Sequence, residues 1–268
     1  MRAYVNRRVS GDSNTYWLSW VKQRFAPAGF AHALSLGCGL GYLERHAAAI
    51  GLCNRIDAID MSEETVRGAL SLAREAGLSG LRYFVADLNH PAFAPATYDA
   101  VFAMMSLHHV RNLEALFAEI ARALKPGGFL VMDEYLGPSQ FRWSVAQTNL
   151  MNALLSLLPG RYRRTPDGGV KSLLVPPRPE DLATKDPSEA IRSEEIIPLL
   201  DRDFVMRAKA DYGGTLLQFL LADIVGNFDA EREDDRALLN LVMLFEETLN
   251  EGGVLPSDFA IVVAQKND

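Results

Sequence analysis

The sequence predicts an α/β fold: a doubly wound, mostly parallel seven-stranded sheet with helical lid insertions. Short apolar runs alternate with helix-like segments through the first half of the chain. A glycine-rich turn separates the first of these runs from the helix that follows it. Alternation at this spacing favours parallel strands joined by crossover helices. The 268 residues suffice for one large domain or for a domain with a smaller lid.

The predicted core runs from residue 33 to residue 135 and follows an N-terminal helical cap, residues 1–32. An amphipathic helix is expected at 13–26 in that cap. Strands are expected at 33–36, 55–59, 81–86, 98–104 and 129–133, and helices at 43–50, 63–76 and 113–124. Ser62 has the character of a helix N-cap, because acidic residues follow it in the first turn.

The alternation ends after Asp133. Residues 136–187, rich in proline and glycine, are predicted to be a lid or insertion with one helix at 143–158. Residues 188–268 are predicted to complete the core, beginning with a helix at 188–202. The last two strands are expected at 204–210 and 259–266, separated by a helical insertion over 214–250 with helices at 214–227 and 232–250.

The overall composition limits the partners of the chain. A formal net charge of −7 argues against a general nucleic-acid binder. No uncharged apolar run of membrane-spanning length occurs, so no membrane partner is expected. Cys38 and Cys53 match neither a metal site nor a disulfide framework, which favours a cytoplasmic setting and no metal.

The turn at 37–41 has the features of a nucleotide pocket. Gly37, Gly39 and Gly41 let the backbone bend and approach a ligand, and the following helix offers free N–H groups. A dinucleotide fingerprint requires the spacing G-x-G-x-x-G. Here the third glycine comes one residue early and Tyr42 stands in its place, which counts against a nicotinamide cofactor.

Polar residues follow the predicted strands where a doubly wound sheet binds its ligands. Asp60 ends the second strand about 20 residues beyond the glycines, and Asp87 ends the third. Ser106 and His108 follow the fourth. Any one of these residues is weak evidence, whereas the ordered set indicates a binding site.

Residues 33–133 resemble a class I S-adenosylmethionine-dependent methyltransferase of the small-molecule type, which has a Rossmann-like fold. The resemblance rests on segments 36–41, 59–62, 86–88, 98–102, 106–110 and 124–128. Strands 204–210 and 259–266 are similar to the terminal hairpin of that family. The resemblance implies S-adenosyl-L-methionine as cofactor, methyl transfer to a small molecule as activity, and 33–135 as the cofactor-binding part.

The resemblance also implies the cofactor-binding residues. They are Gly37, Cys38, Gly39, Gly41, Asp60, Met61, Asp87, Leu88, Met104 and Tyr16. The glycines would pack against the methionine part, Asp60 would bind the ribose hydroxyls, and Met61 would cover the adenine. Asp87 would accept from the adenine amino group. Tyr16 and Trp17 would close over the methyl group or belong to the core, and the core is the commoner role.

One position departs from the family pattern. The family usually has an acid two residues before the first glycine, and this chain has Ser35. That acid normally orients bound water or the amino group of the cofactor. Its absence predicts weaker binding, or transfer of the task to another side chain.

A hydroxyl acceptor must lose its proton during methyl transfer. His108 and Glu134 are the candidate catalytic residues, and His109 is a third candidate base. The alternatives left open are that the histidines only shape the loop after the fourth strand and that Glu134 only caps a loop. A hydroxyl acceptor is favoured over nitrogen or carbon.

The insertions carry aromatic and other large apolar side chains that would wall an apolar acceptor or, equally, form the core of the lid or a subunit interface. They are Phe141, Trp143, Met151, Tyr162, Tyr212, Phe219, Phe228 and Phe245. A homodimer is possible. The alternative functions are a cofactor-binding protein without methyl transfer, another S-adenosylmethionine-dependent reaction such as a cyclisation, and a nicotinamide-dependent reductase.

Overall fold

The computed structural model describes residues 2–267 and contains the predicted seven-stranded sheet. The sheet order is β3-β2-β1-β4-β5-β7-β6. The strands are β1 (Phe30–Leu36), β2 (Cys53–Asp60), β3 (Leu81–Val85), β4 (Tyr98–Met104), β5 (Leu124–Tyr135), β6 (Phe204–Gly213) and β7 (Phe259–Lys266). The helices are α1 (Arg2–Ser10), α2 (Trp17–Phe25), α3 (Tyr42–Ala49), α4 (Glu63–Glu75), α5 (Leu113–Ala123), α6 (Val145–Leu157), α7 (Pro179–Lys185), α8 (Ile196–Leu200), α9 (Leu217–Leu221) and α10 (Glu233–Glu251).

Strand β1 lies between β2 and β4 and pairs in parallel with both. The strand order therefore reverses between β1 and β4. Ligands of doubly wound sheets bind in the crevice that such a reversal opens at the carboxyl ends of the strands. The buried Asp57 links β2 to the amino ends of β3 and β4, away from this crevice, because Arg82 donates two hydrogen bonds of 2.7 Å to it and the Tyr98 hydroxyl donates one of 3.3 Å.

The two faces of the sheet bury separate apolar clusters, since successive strand residues point to opposite faces. On β1, Leu34 and Leu36 belong to the cluster that contains the apolar side of α5. Ala33 belongs to the other cluster, together with Leu43 of α3 and Trp17 of α2. This alternation decides which helix each polar strand residue faces.

Local sequence explains the central helices. The Ser62 side chain accepts a hydrogen bond of 3.2 Å from the Thr65 N–H, which confirms the expected N-cap of α4. Helix α5 buries Leu113, Leu116, Phe117 and Ile120 on one face, at the spacing of an amphipathic helix.

The chain divides into two compact units. Unit 1 comprises residues 2–136, 188–212 and 260–267, and unit 2 comprises Gly137–Pro187 and Gly213–Phe259. Within unit 2, aromatic rings contact one another, and these pairs make an internal core. The ring centroids of Phe219 lie 5.2 Å from Phe141 and 4.5 Å from Trp143, and Tyr162 stacks on Phe228 at 4.4 Å.

Several element boundaries differ from the sequence predictions. The N-terminal segment holds two helices instead of one, and β1 begins at Phe30, before the predicted start at residue 33. The predicted helix at 188–202 is reduced to a 3₁₀ turn and α8, because Ala190 has φ +49° and the Ile191 N–H donates to the His108 carbonyl. The predicted helix at 214–227 breaks after α9, where Asp223 has φ +65°.

Within residues 2–267, none of the helices combines the length and the apolar character needed to cross a membrane.

Candidate active site

The glycine turn between β1 and α3 depends on left-handed backbone conformations. Gly37, Gly39 and Gly41 have φ values of +65°, +52° and +75°. A Cβ at Gly37 would lie 2.5 Å from the Ser106 Cβ, so no larger residue fits there. A Cβ at Gly39 would meet no protein atom within 4 Å, so the backbone here forms an open cradle. Cys38 is buried in the turn, and burial raises the pKa of its thiol, which keeps it protonated.

Asp60 connects the end of β2 to this turn. Its Oδ2 accepts a hydrogen bond of 2.9 Å from the Gly39 N–H, and its Oδ1 accepts one of 3.0 Å from the Ser62 N–H. Each carboxylate oxygen keeps a second lone pair for a ligand hydroxyl. The next residue, Met61, leaves 75% of its surface exposed, so its side chain is available to cover a flat apolar group.

Asp87 lies after β3, where the sequence predicted it. Its Oδ1 accepts a hydrogen bond of 2.8 Å from the Asn89 N–H, and its Oδ2 lies 2.9 Å from Nδ1 of His90. Several contacts hold the pKa of this exposed carboxyl below its usual value, and the hydrogen bond from the Asn89 N–H lowers it most. Leu88, beside it, is half-buried.

Tyr16 and Met104 are the outlying members of the predicted cofactor set. Tyr16 precedes α2, and its ring centroid lies 4.9 Å from that of His46 on α3. Burial, with the nearby Asp133 charge, raises the pKa of the Tyr16 hydroxyl to about 12. Met104 is the half-buried last residue of β4. Both pack against the same apolar cluster of unit 1.

Glu44, which the sequence interpretation missed, lies in the first turn of α3 just after the glycine turn. Its side chain is fully buried, and neither carboxylate oxygen has a hydrogen-bond partner of normal geometry among residues 2–267. Burial raises the pKa of this carboxyl to about 7, although the neighbouring Ser35 hydroxyl partly opposes the shift. The acid absent from position 35 therefore has a counterpart on the facing helix.

Glu134 is fully buried and organises the loop after β4. Its Oε2 accepts hydrogen bonds from the N–H groups of Ser106, at 2.9 Å, and Leu107, at 2.7 Å. Its Oε1 accepts one of 2.9 Å from the Tyr135 N–H and makes a short hydrogen bond with Nδ1 of His108. This contact holds Nδ1 of His108, so the ring is oriented with its second nitrogen, Nε2, on the other side.

Near this nitrogen lie two further polar side chains, those of His109 and Glu189. We call His108, His109 and Glu189 the histidine cluster. Nε2 of His108 lies 3.6 Å from Oε1 of Glu189, and Nε2 of His109 lies 3.8 Å from Oε2. The ligand atoms of all three residues lie within 4.8 Å of one another, a separation that would also allow them to hold one divalent metal ion. The proximity of Glu189 to His108 could not be predicted from the sequence, because Glu189 lies 81 residues beyond His108.

Asp133 faces the opposite side of the sheet from Glu134. Its Oδ1 accepts a hydrogen bond of 2.7 Å from the Tyr212 hydroxyl, and burial raises its pKa to about 7. Tyr212 was predicted only as a lid residue, yet it belongs to unit 1. The two neighbouring acids at the end of β5 therefore occupy different environments, and only Glu134 contacts His108.

Comparison with known families adds evidence from beyond this chain. The family described as a methyltransferase domain matches residues 34–132, which contain the end of β1, all of β2 to β4 and most of β5. The match covers the glycine turn, Asp60, Asp87 and the histidines of the loop after β4.

Two curated relatives each match less than half of the chain. A sterol methyltransferase-like 2 from Botryococcus braunii is 37% identical over 109 residues, covering 40% of this chain and 28% of the relative. A ubiquinone biosynthesis O-methyltransferase from Thiobacillus denitrificans is 33% identical over 119 residues, covering 44% of this chain and 50% of the relative. The chain thus spans half or less of the length of these relatives.

Solved structures extend the likeness in fold to most of the chain. An S-adenosylmethionine dependent methyltransferase from Mesorhizobium loti has a TM-score of 0.54 at 19% identity, covering 93% of this chain and 97% of the other. The cyclase SpnF has the same TM-score and identity, covering 93% of this chain and 80% of the other. The fold therefore accommodates more than one reaction. Residues 34–132 thus match a methyltransferase domain, and the chain as a whole has the fold of a Rossmann-like S-adenosylmethionine-dependent methyltransferase.

Proposed function

We propose that the chain transfers the methyl group of S-adenosyl-L-methionine to a hydroxyl of a small molecule. The observation that carries the donor half is the bridge that Asp60 makes between the glycine turn and the end of β2. The residues present fit this cofactor, because the backbone at Gly39 is an open cradle and buried Glu44 oxygens nearby lack partners. When bound, the cofactor supplies an electrophilic methyl group on a sulfonium.

Each predicted cofactor residue has a role in this proposal. The Asp60 carboxylate would accept from the ribose hydroxyls, while the N–H groups of Gly39 and Ser62 hold it in place. Met61 would cover the adenine, and Asp87 with the Leu88 backbone would bind the edge of that ring. The turn, from Gly37 with Cys38 to Gly41, would pack against the methionine part, with Tyr16 and Met104 near the methyl group.

His108 is the proposed general base. Glu134 contacts Nδ1 of His108 and would orient the ring for proton transfer through Nε2, and the Glu189 carboxylate, 3.6 Å from Nε2, would stabilise the imidazolium that forms. The cofactor, held by the glycine turn and Asp60, would supply the methyl group to the acceptor oxygen, with its carbon–sulfur bond breaking as the new carbon–oxygen bond formed. Products are the methyl ether, S-adenosylhomocysteine and a proton held on His108.

The choice of a hydroxyl rests on this oriented histidine, since a neutral amine acceptor can attack before it loses a proton. One curated relative, the protein from Thiobacillus denitrificans, is named as an O-methyltransferase. The acceptor is proposed to be a small molecule, with acceptor selection by residues outside 33–135. Cytoplasmic location and a homodimer remain predictions; light scattering measures the second.

Calorimetry with S-adenosylhomocysteine tests the donor half. Wild type should bind, and Asp60→Ala should weaken binding roughly 10- to 100-fold, the size expected for lost hydrogen bonds to a charged group. Asp201→Ala, at an exposed acid beyond α8, is the control and should bind as wild type does. Absence of wild-type binding, or equal binding by Asp60→Ala, would refute the proposal.

A labelled-methyl assay with a panel of phenols and alcohols tests the acceptor half. Wild type should transfer the label to at least one hydroxyl compound in the panel. Label found only on amines of a matched panel would contradict the hydroxyl assignment. Cofactor binding with no transfer to either panel would favour a binding protein or a different S-adenosylmethionine-dependent reaction.

A further inference from the structure

Glu44 is a buried acid whose carboxyl group lacks hydrogen-bond partners in the described part of the chain. Its carboxyl is fully buried, yet neither oxygen has a hydrogen-bond partner of normal geometry within residues 2–267. Buried carboxyl groups are ordinarily paired or hydrogen-bonded. Protonation does not remove the need for hydrogen-bond partners, because a neutral carboxyl still presents an O–H donor and a carbonyl acceptor. A ligand that brings donors would satisfy it.

The position of Glu44 indicates which ligand group it meets. Helix α3 starts directly after Gly41, so Glu44 lies in the turn of helix next to the glycine turn. Ser35 shares its strand face with Ala33, and that face packs against Leu43 of the same helix. The Ser35 hydroxyl is near enough to lower the pKa of the Glu44 carboxyl. The carboxyl therefore lies beside the end of β1 and the first glycine.

No ion pair to the Glu44 carboxyl is formed within residues 2–267. Arg45 attracts the carboxyl from a distance, and a smaller repulsion by Asp60 opposes that attraction. The Arg45 guanidinium instead donates a hydrogen bond of 2.5 Å to the Leu40 carbonyl. A cationic ligand with several N–H donors would complement both the charge and the acceptor geometry of this place.

We propose that Glu44 binds the α-ammonium group of the methionyl part of S-adenosylmethionine, from helix α3 and in place of an acid on β1. The inference rests on the proposed function, since it assumes that this cofactor occupies the glycine turn. Glu44 is the residue that binds the charged end of the cofactor, while Asp60 binds its sugar. Ser35 is small because the carboxyl of Glu44 takes the space beside it.

A pair of ligands isolates this contact. S-adenosylhomocysteine carries the ammonium group, whereas 5′-methylthioadenosine has the same nucleoside and sulfur but lacks the amino acid. Calorimetry should show that Glu44→Gln weakens binding of the first roughly 10- to 100-fold and leaves the second unchanged. Glu64→Gln, at an exposed acid on α4, is the matched control and should change neither affinity.

A double variant moves the acid back to the strand. Ser35→Asp combined with Glu44→Ala should bind S-adenosylhomocysteine more tightly than Glu44→Ala alone, because the new carboxylate would enter the space that the shortened side chain leaves. A thermal melt of each variant establishes that it is folded before its affinity is compared.

The outcomes separate this inference from the proposed function. If wild type binds neither ligand, the proposed function fails. If wild type binds both and Glu44→Gln binds S-adenosylhomocysteine equally well, only the role of Glu44 is refuted. Equal weakening of both ligands would also refute it, because the effect would then come from the nucleoside side or from the fold.

Discussion

Replacing Glu44 by glutamine should stabilise the ligand-free protein at high pH. The carboxyl has its pKa raised from 4.5 to about 7 by burial. The native state therefore holds this proton more tightly than the unfolded chain does. Its stabilising contribution is present below pH 4.5 and is lost as the pH rises through about 7.

The size of the effect follows from the shift. The rise in the pKa of Glu44 from 4.5 to about 7 lowers the free energy of unfolding at pH 8 by about 3 kcal/mol, as an order of magnitude for this fully buried group. For a chain of 268 residues this is a change of about 5 °C in melting temperature. The amide keeps the shape but cannot ionise, so Glu44→Gln should melt about 5 °C above wild type at pH 8 and equal to it at pH 4.

Differential scanning fluorimetry over pH 4 to 8 measures this difference. Groups that interact with Glu44 are present in both proteins, so their own contributions enter both melting curves; they are Ser35, Arg45, Asp60, Cys38, Cys53 and Tyr83. Asp133 and Asp258 also have pKa values raised to about 7, and they enter both curves in the same way. A melting difference that does not change with pH, or a variant that melts lower at pH 8, would refute the reasoning.

The remaining predictions concern the turn and the base. Gly37→Ala should lose S-adenosylhomocysteine binding in calorimetry, because its Cβ would lie 2.5 Å from the Ser106 Cβ; unchanged affinity would contradict this packing. His108→Gln should lower kcat roughly 100-fold or more and remove the acidic limb of the pH profile, where activity rises from low pH, with the cofactor KM unchanged. Glu134→Gln should shift that limb because it alters the hydrogen bond to Nδ1, an effect that a merely structural loss would not produce. Dialysis against a chelator should leave activity unchanged if His108 is the base; loss of activity with recovery on adding a divalent metal would assign the histidine cluster to metal binding instead.

The sheet and the glycine turn could be predicted because their signals are local. Apolar runs of strand length, separated by helix-like segments, define the parallel sheet without knowledge of distant contacts. The spacing of Gly37, Gly39 and Gly41 and the acid at the end of β2 likewise lie within a short stretch. The fold confirms the fold class that these signals predicted, and residues 34–132 match a methyltransferase domain.

The parts that were missed depend on distant contacts. Glu44 reads in the sequence as an ordinary charged residue in a first helical turn, and only the packing of α3 against β1 buries it. Glu189 meets His108 because the chain returns to the sheet after unit 2, with the Ile191 N–H bound to the His108 carbonyl. Helix 214–227 was overestimated because nothing local marked the positive φ of Asp223.

One serine joins the donor and acceptor sides of the proposed site. Ser106 leaves no room for a side chain at Gly37, its hydroxyl donates a hydrogen bond of 2.9 Å to the Leu36 carbonyl, and its N–H binds the carboxylate that orients His108. A change at this residue would disturb both sides at once. We therefore expect that, when this chain and its relatives diverge toward new acceptors, Gly37 and Ser106 change together or not at all, and that acceptor range evolves through other positions.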